Sequence, residues 1–178
     1  MERTENRDCI ILIGMPGVGK STIGVILAKE LGYQFIDSDL LIQQQEGRLL
    51  RTIIEEKGVD GFLAIENQVN AGIQARRAVI ATGGSAVYGT EAMEHFRRMG
   101  TIIYLKLPYD QLKRRLGNLK GRGVVLKKGQ TLRDIYEERT ALYEQWADAV
   151  IEEEGRDIEA TLKEILNFCL QIDVDRLI

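Results

Sequence analysis

The eight residues Gly14-Met15-Pro16-Gly17-Val18-Gly19-Lys20-Ser21 constrain this chain more than any other stretch. They satisfy G-x-x-x-x-G-K-[ST] through Gly14, Gly19, Lys20 and Ser21. On one side lies an all-apolar run, Cys9 to Ile13; on the other, Ile23, Ile26, Leu27 and Leu31 recur at helical spacing. That order reads as a buried strand, a tight loop and a helix. Glycines let consecutive backbone N–H groups turn inward, and the helix N-terminus adds partial positive charge, so the loop suits phosphate. Lys20 is expected to reach the β- and γ-phosphates of a nucleotide, and the Ser21 hydroxyl to ligate Mg²⁺. Gly14, Gly17, Val18, Gly19, Lys20, Ser21 and Thr22 form the expected phosphate-binding set. A dinucleotide G-x-G-x-x-G fails, because Thr22 takes the third glycine position counted from Gly17.

The rest of the chain alternates in the same way. Strands are expected at Gln34–Asp37, Ala78–Ala81, Thr101–Leu105 and Ala149–Glu152. Helices are expected from Asp39 to Gln45, Leu49 to Lys57, Phe62 to Ala75, Glu91 to Arg98, Tyr109 to Leu116, Leu132 to Ala147 and Ile158 to Leu170, with Gly58 and Gly61 separating the second and third. This predicts an α/β fold, a three-layer α/β/α sandwich around a parallel five-stranded sheet. Ligands of such sheets gather beyond the carboxyl ends of the strands. The glycine loop, Asp37 and Asp39, Gly83-Gly84 and the segment after Leu105 should therefore share one site. The glycine-rich, basic stretch from Gly117 to Gly123, with Lys127-Lys128-Gly129 after it, reads as a mobile lid spanning about 117–130.

At 178 residues, one domain spans the chain (1–178). A formal net charge of −3 leaves no basic footprint for nucleic acid. No run approaches the roughly 20 apolar residues of a membrane span, and no secretory h-region opens the sequence, so a cytoplasmic monomer with free Cys9 and Cys169 is expected. His95 reads as a surface residue, and Glu55-Glu56-Lys57 and Glu152-Glu153-Glu154 as solvated charge.

Among phosphate-loop proteins, motor, helicase and transporter ATPases need a longer chain. A small GTPase needs N-K-x-D after a strand, and Asn118-Leu119-Lys120-Gly121 lacks both the acid and the strand. The small-molecule kinases remain, of the nucleoside monophosphate kinase-like type. Within that group the chain resembles the shikimate kinase family. Gly14 to Gly24 is similar to its opening motif and Asp37-Ser38-Asp39 to its D-[ST]-D. Ala81 to Val87 resembles its G-G-G-A-V segment, and Arg139-Thr140-Ala141-Leu142-Tyr143 its R-x-x-L-Y. Arg122 falls where the family has its lid arginine.

The resemblance implies ATP-dependent phosphorylation of shikimate to shikimate 3-phosphate, a step of aromatic amino-acid biosynthesis, with Mg²⁺ alongside ATP. It implies metal binding by Ser21 and Asp37, and catalytic roles for Lys20, Asp39 and Arg122. Arg115 and Arg156 are expected to flank the adenine. Asp39, Phe62, Leu63, Gly83, Gly84, Ser85 and Arg139 are expected at the acceptor, within a helical segment of about 39–75. Asp39 is also placed to cap the helix it begins.

The family pattern G-E-x-x-F-R-x-x-E is broken here: Leu63 stands where its carboxylate-binding arginine belongs, Val59 replaces its first glutamate, and Ser85 replaces the third glycine of G-G-G. Gly123 follows Arg122 where proline is usual. Three readings stay open. One is a shikimate kinase with a rearranged carboxylate clamp. Another is a kinase of this fold for a different polyol, cyclitol, amino acid or sugar acid. The third is a catalytically inactive nucleotide-binding partner protein, which would have no need of the acceptor-side residues.

Overall fold

The computed structural model describes residues 7–117 and 124–175. Five strands, β1 (Cys9–Ile13), β2 (Gln34–Asp37), β3 (Ala78–Ala81), β4 (Gly100–Lys106) and β5 (Ala149–Glu152), pair in parallel in the order β2-β3-β1-β4-β5. The apolar run that opens the chain takes the central place: Ile11 lies beside Ile80 on one flank and Ile102 on the other. Successive strand side chains point to opposite faces, and all five residues of β1 are buried. Both faces of the sheet are therefore covered, as an unalternating strand requires.

The covering helices are α1 (Lys20–Leu31), α2 (Ser38–Glu46), α3 (Leu50–Ala71), α4 (Thr90–Met99), α5 (Tyr109–Leu116), α6 (Leu132–Trp146) and α7 (Ile158–Asp175). Helix α1 packs on β1, β2, β3 and α7, whereas α4 and α6 pack on β4. Gly32 ends α1 in a left-handed cap whose N–H reaches the carbonyls of Ala28 and Lys29. Most expected elements stand within a residue or two of their predicted ends. The last helix runs to Asp175 rather than Leu170.

The clearest difference lies in α3. Gly58 breaks it sharply, with φ 73° and ψ 176°, so two helical arms meet there as expected, but Gly61 stays helical and the second arm starts at Val59 rather than Phe62. Lacking a side chain weakens a helix without forcing a break, and the arm from Val59 onward is held by its buried Phe62, Glu66, Val69 and Asn70. The arm stops at Ala71, not Ala75, because the Gly72 N–H bonds back to carbonyls of the last turn.

Two apolar clusters result. The larger fills the sheet and its helices; the smaller gathers Ile42, Ile53, Phe62, Val69 and Val125. Helices α2 and α3 thus carry their own small core beside the sheet, and the acceptor-side residues stand on it. Among the described residues Cys9 forms no disulfide, and no helix is long and apolar enough to cross a membrane.

Candidate active site

The phosphate loop leaves β1 at Gly14, whose φ of 146° and tight fit leave no room for a side chain. A Cβ there would lie 2.6 Å from the Leu105 carbonyl oxygen of β4. Lys20, the first residue of α1, is buried and curls over the loop, donating from Nζ to the carbonyls of Gly14 (2.7 Å) and Met15 (2.9 Å). Burial pushes its ammonium down to about 8, with the nearby Asp39 carboxylate pulling the other way.

Ser21 Oγ donates to Asp37 Oδ2 at 2.7 Å. The other oxygen of Asp37 accepts the N–H groups of Asp39 (3.0 Å) and Leu40 (3.2 Å), so Asp37 is the N-cap of α2. This corrects the expectation that Asp39 caps that helix. The strand ends at Asp37 and the chain turns helical at Ser38. The capping carboxylate must precede the first helical residue, and Asp39 is already inside the first turn. Asp39 is thereby released to face the cavity. Burial first, and then Asp37, pushes its carboxyl up to about 6, while Lys20 opposes the rise.

Opposite Asp39, the turn after β3 brings Gly83 between two carboxylates. A Cβ there would sit 2.7 Å from Asp39 Oδ1 and 2.5 Å from Glu66 Oε1. Any side chain there would have to displace one or both of these carboxylates. The Gly83 N–H donates to Ser38 Oγ (3.3 Å), and Tyr143 donates its hydroxyl to the Gly84 carbonyl (2.5 Å). Ser85 donates to Glu66 Oε2 at 2.6 Å, and Glu66 Oε1 has no hydrogen-bond partner. Burial pushes the Glu66 carboxyl up to about 7, against the Ser85 hydrogen bond.

These groups line a cavity of about 400 Å³, in which Lys20, Ser21, Thr22, Asp39, Phe62, Gly83, Gly84, Ser85, Gly17 and Gly19 meet Pro16, Leu50, Thr82 and Val125. Leu63 is not among its lining residues: it packs against the smaller apolar cluster. Arg139 is no surface residue. At 1% exposure it donates from Nη2 to the Val125 carbonyl (2.8 Å) and from Nε to the Tyr88 hydroxyl (3.3 Å). It stands behind the cavity wall rather than in it. Arg122, the expected lid arginine, lies outside the described residues, as do 118–121 and 123.

A second cavity, about 220 Å³, opens on the other side of the loop between Val18, Gly19, Thr22, Arg115, Arg156 and the start of α7. Arg115 Nη1 donates to the Val18 carbonyl at 3.1 Å. Here a further expectation is corrected. Glu152 and Glu154 are exposed, but Glu153 is buried at 4% exposure and lines this cavity. A triple-glutamate run leaving a strand alternates its side chains, and the middle one turns inward. His95 is half-buried too, with Nε2 2.6 Å from the Ile73 carbonyl oxygen.

The comparisons with known proteins agree with this geometry. A family model described as shikimate kinase matches residues 16–170. The chain belongs to the shikimate kinase family. A shikimate kinase of Persephonella marina is 32% identical over 158 residues, covering 88% of this chain and 96% of the relative. Shikimate kinase 2 of Yersinia pseudotuberculosis is 35% identical over 152 residues, 80% of this chain and 85% of that one. Among solved structures, shikimate kinase from Acinetobacter baumannii in complex with shikimate superposes with a TM-score of 0.82 at 31% identity. It covers 94% of this chain and 95% of its own. Family membership makes the fold that of a phosphate-loop kinase, and the five parallel strands agree.

The oxygens of Ser21 and Asp37 are hard donors within 2.7 Å of each other, a fit for Mg²⁺. That ion takes one or two protein oxygens and completes its octahedron with phosphate and water.

Proposed function

We propose that the chain transfers the γ-phosphoryl group of ATP to a hydroxyl of shikimate, giving shikimate 3-phosphate. The observation that carries the reading is one cavity in which Lys20 and Ser21 of the phosphate loop face Asp39 and the Gly83–Gly84 turn. Donor-side and acceptor-side groups thus line one cavity beyond the carboxyl ends of the strands.

The transferred group passes through a loose transition state, so positioning and charge stabilisation supply most of the rate. Lys20 neutralises charge on the β- and γ-phosphates. Its ammonium, buried and depressed, is held over the loop by the carbonyls of Gly14 and Met15 and is free to exchange them for phosphate oxygens. Ser21 and Asp37 would hold Mg²⁺, which supplies further neutralisation of the phosphate oxygens when bound. Asp39 accepts the hydrogen bond of the attacking hydroxyl, orients its lone pair and takes the proton as the bond to phosphorus forms. A carboxyl pushed up to about 6 is better matched to that proton transfer than an ordinary aspartate. Phe62 gives the acceptor ring an apolar wall, and Gly83 and Gly84 let it approach the backbone. With Leu63 packed into the smaller cluster, the acceptor's carboxylate falls to the turn at Gly84–Ser85, and Arg139 behind that wall reaches it by exchanging the Val125 carbonyl for the ligand. Arg115 and Arg156 flank the adenine, and the lid of about 117–130, with Arg122, closes over the phosphates.

A coupled assay of ADP release with shikimate and MgATP tests the reading. Saturable turnover with one phosphate added to shikimate is expected. MgATP binding without shikimate turnover would overturn it.

A further inference from the structure

Among the described residues two buried carboxylates, Glu66 and Glu153, are left unused by this mechanism, and Glu153 is the one that lines the smaller cavity. It directly follows β5 at 4% exposure, its Oε2 accepts no hydrogen bond, and its ion-pair partner is Arg115, with Nη1 3.9 Å from that oxygen. A buried carboxylate without hydrogen bonds costs stability, so its presence calls for a use. Its surroundings supply one. Gly19 and Thr22 face both cavities of the phosphate loop. The larger cavity holds Asp39, so the terminal phosphate points there and the nucleoside end leaves through the smaller one. Arg115 stands in that smaller cavity, tied on one side to the phosphate loop through the Val18 carbonyl and on the other to Glu153.

We infer that Glu153 is a positioning residue for the nucleoside end of the donor: its buried carboxylate holds the Arg115 guanidinium against the phosphate loop as a platform for the base. The inference rests on the reading of this chain as a nucleotide-dependent kinase, and deepens it by giving Arg115 a fixed place. A guanidinium is planar and stacks on flat rings, but on its own it is a long chain with much rotamer freedom. Two anchors remove that freedom before the nucleotide arrives, so less of it is lost on binding.

Burial pushes the Glu153 carboxyl up to about 7, while Arg115 of α5 and Lys20 of α1 favour its ionised form. Arg156 and Asp157, from the loop that follows β5, also line the cavity. Arg156 pairs with Glu164 and Asp157 accepts the Ala160 N–H, so each has a partner of its own. Glu153 is ionised above about pH 7 and loses its charge below it. The anchor is therefore engaged at high pH and released as pH falls.

The test is a binding experiment on the full chain with two probes, ADP and inorganic tripolyphosphate, which shares the phosphates and lacks the base. Glu153→Gln keeps the shape and removes the charge. It is expected to weaken ADP about tenfold, roughly 1.4 kcal/mol, and to leave tripolyphosphate within about twofold. In turnover it should raise KM for MgATP with kcat nearly unchanged. Arg115→Ala, at a half-exposed position that tolerates truncation, should produce the same loss for ADP, and Glu153→Gln added to it should do nothing more. In the wild type, preference for ADP over tripolyphosphate should rise between pH 6 and 8 and be flat in Glu153→Gln. Equal weakening of both probes, additive effects of the two substitutions, or an unchanged ADP affinity would each overturn the inference. Because the readout is binding, absence of shikimate turnover would leave it standing, and its own failure would leave the shikimate reading untouched.

Discussion

The two cavities on either side of the phosphate loop are built by opposite means. The larger is assembled from five segments distant in sequence: the loop at 16–22, Asp39, the kinked helix at 50–62, the turn at 82–85 and Val125. Its charged groups are crowded, with the Asp39 and Glu66 carboxylates flanking Gly83 and both pushed upward by burial. The smaller cavity is an opening between α1, α5 and α7 in which the half-exposed Arg115 guanidinium lies 3.9 Å from the buried Glu153 carboxylate. The contrast fits the division of labour proposed for them. Phosphoryl transfer needs dry, fixed geometry, where a small displacement costs much of the rate. A nucleoside needs only to be held, and a flat cation suffices.

That difference sets the scale of what substitutions should do. Lys20→Ala strikes the larger cavity at its charge and should lower kcat about a thousandfold in the coupled assay, since stabilisation of the transferred group is lost. Asp39→Asn keeps the shape and the hydrogen bond but cannot take the proton. It should lower kcat about a hundredfold with ADP affinity unchanged by isothermal titration. If Asp39→Asn instead weakened ADP, the division of labour between the cavities would fail. Gly83→Ala would push a methyl group against Asp39 and Glu66. A rise of about tenfold in acceptor KM is expected, with little change in KM for MgATP.

The smallest effect sharpens the electrostatic side of the comparison. Glu66 has its carboxyl raised from an ordinary 4.5 to about 7, so the folded state favours the protonated form. Its contribution to stability is fully present below about pH 4.5 and is lost as pH rises through 7. Glu66→Gln should therefore raise Tm by a few degrees at pH 8 and leave it unchanged at pH 4, measured by thermal unfolding. An equal gain at both pH values would show that the acid is not strained by its burial.

Much of the architecture was legible from periodicity, because a strand covered on both faces must be apolar throughout and a helix must repeat at its own spacing. β1, β3 and β4 declared themselves in that way, and the phosphate loop by its glycines and lysine. The kink in α3 was only half legible. Gly58 and Gly61 look alike in sequence, and the buried Phe62 and Glu66 decide that one bends the chain and the other does not. The cap of α2 was misplaced by two residues for a similar reason, since Asp37 and Asp39 are chemically the same and only the strand's end tells them apart.

Glu66 and Glu153 show where sequence reading stopped. In the sequence the first stands only as part of a family pattern, the second only as one of three acids in a row. Nothing in their neighbours announces that each is buried, that Ser85 holds one, or that Arg115 lies near the other. A signal was present for Glu153 in the alternation expected where a strand ends, and charge alone concealed it.

By itself the sequence determined the sheet, the phosphate loop and the donor chemistry, because these rest on contacts between near neighbours and on backbone conformations that particular residues permit. Only the tertiary structure decided which of the carboxylates face the cavities, that Leu63 is turned away and Arg139 buried, and which acid serves which cation. Those choices depend on side chains brought together from segments 16 to 128 residues apart, from Ser21–Asp37 to Met15–Tyr143. Burial, which changes the behaviour of a charged group more than its chemical identity does, is a property of the packed molecule.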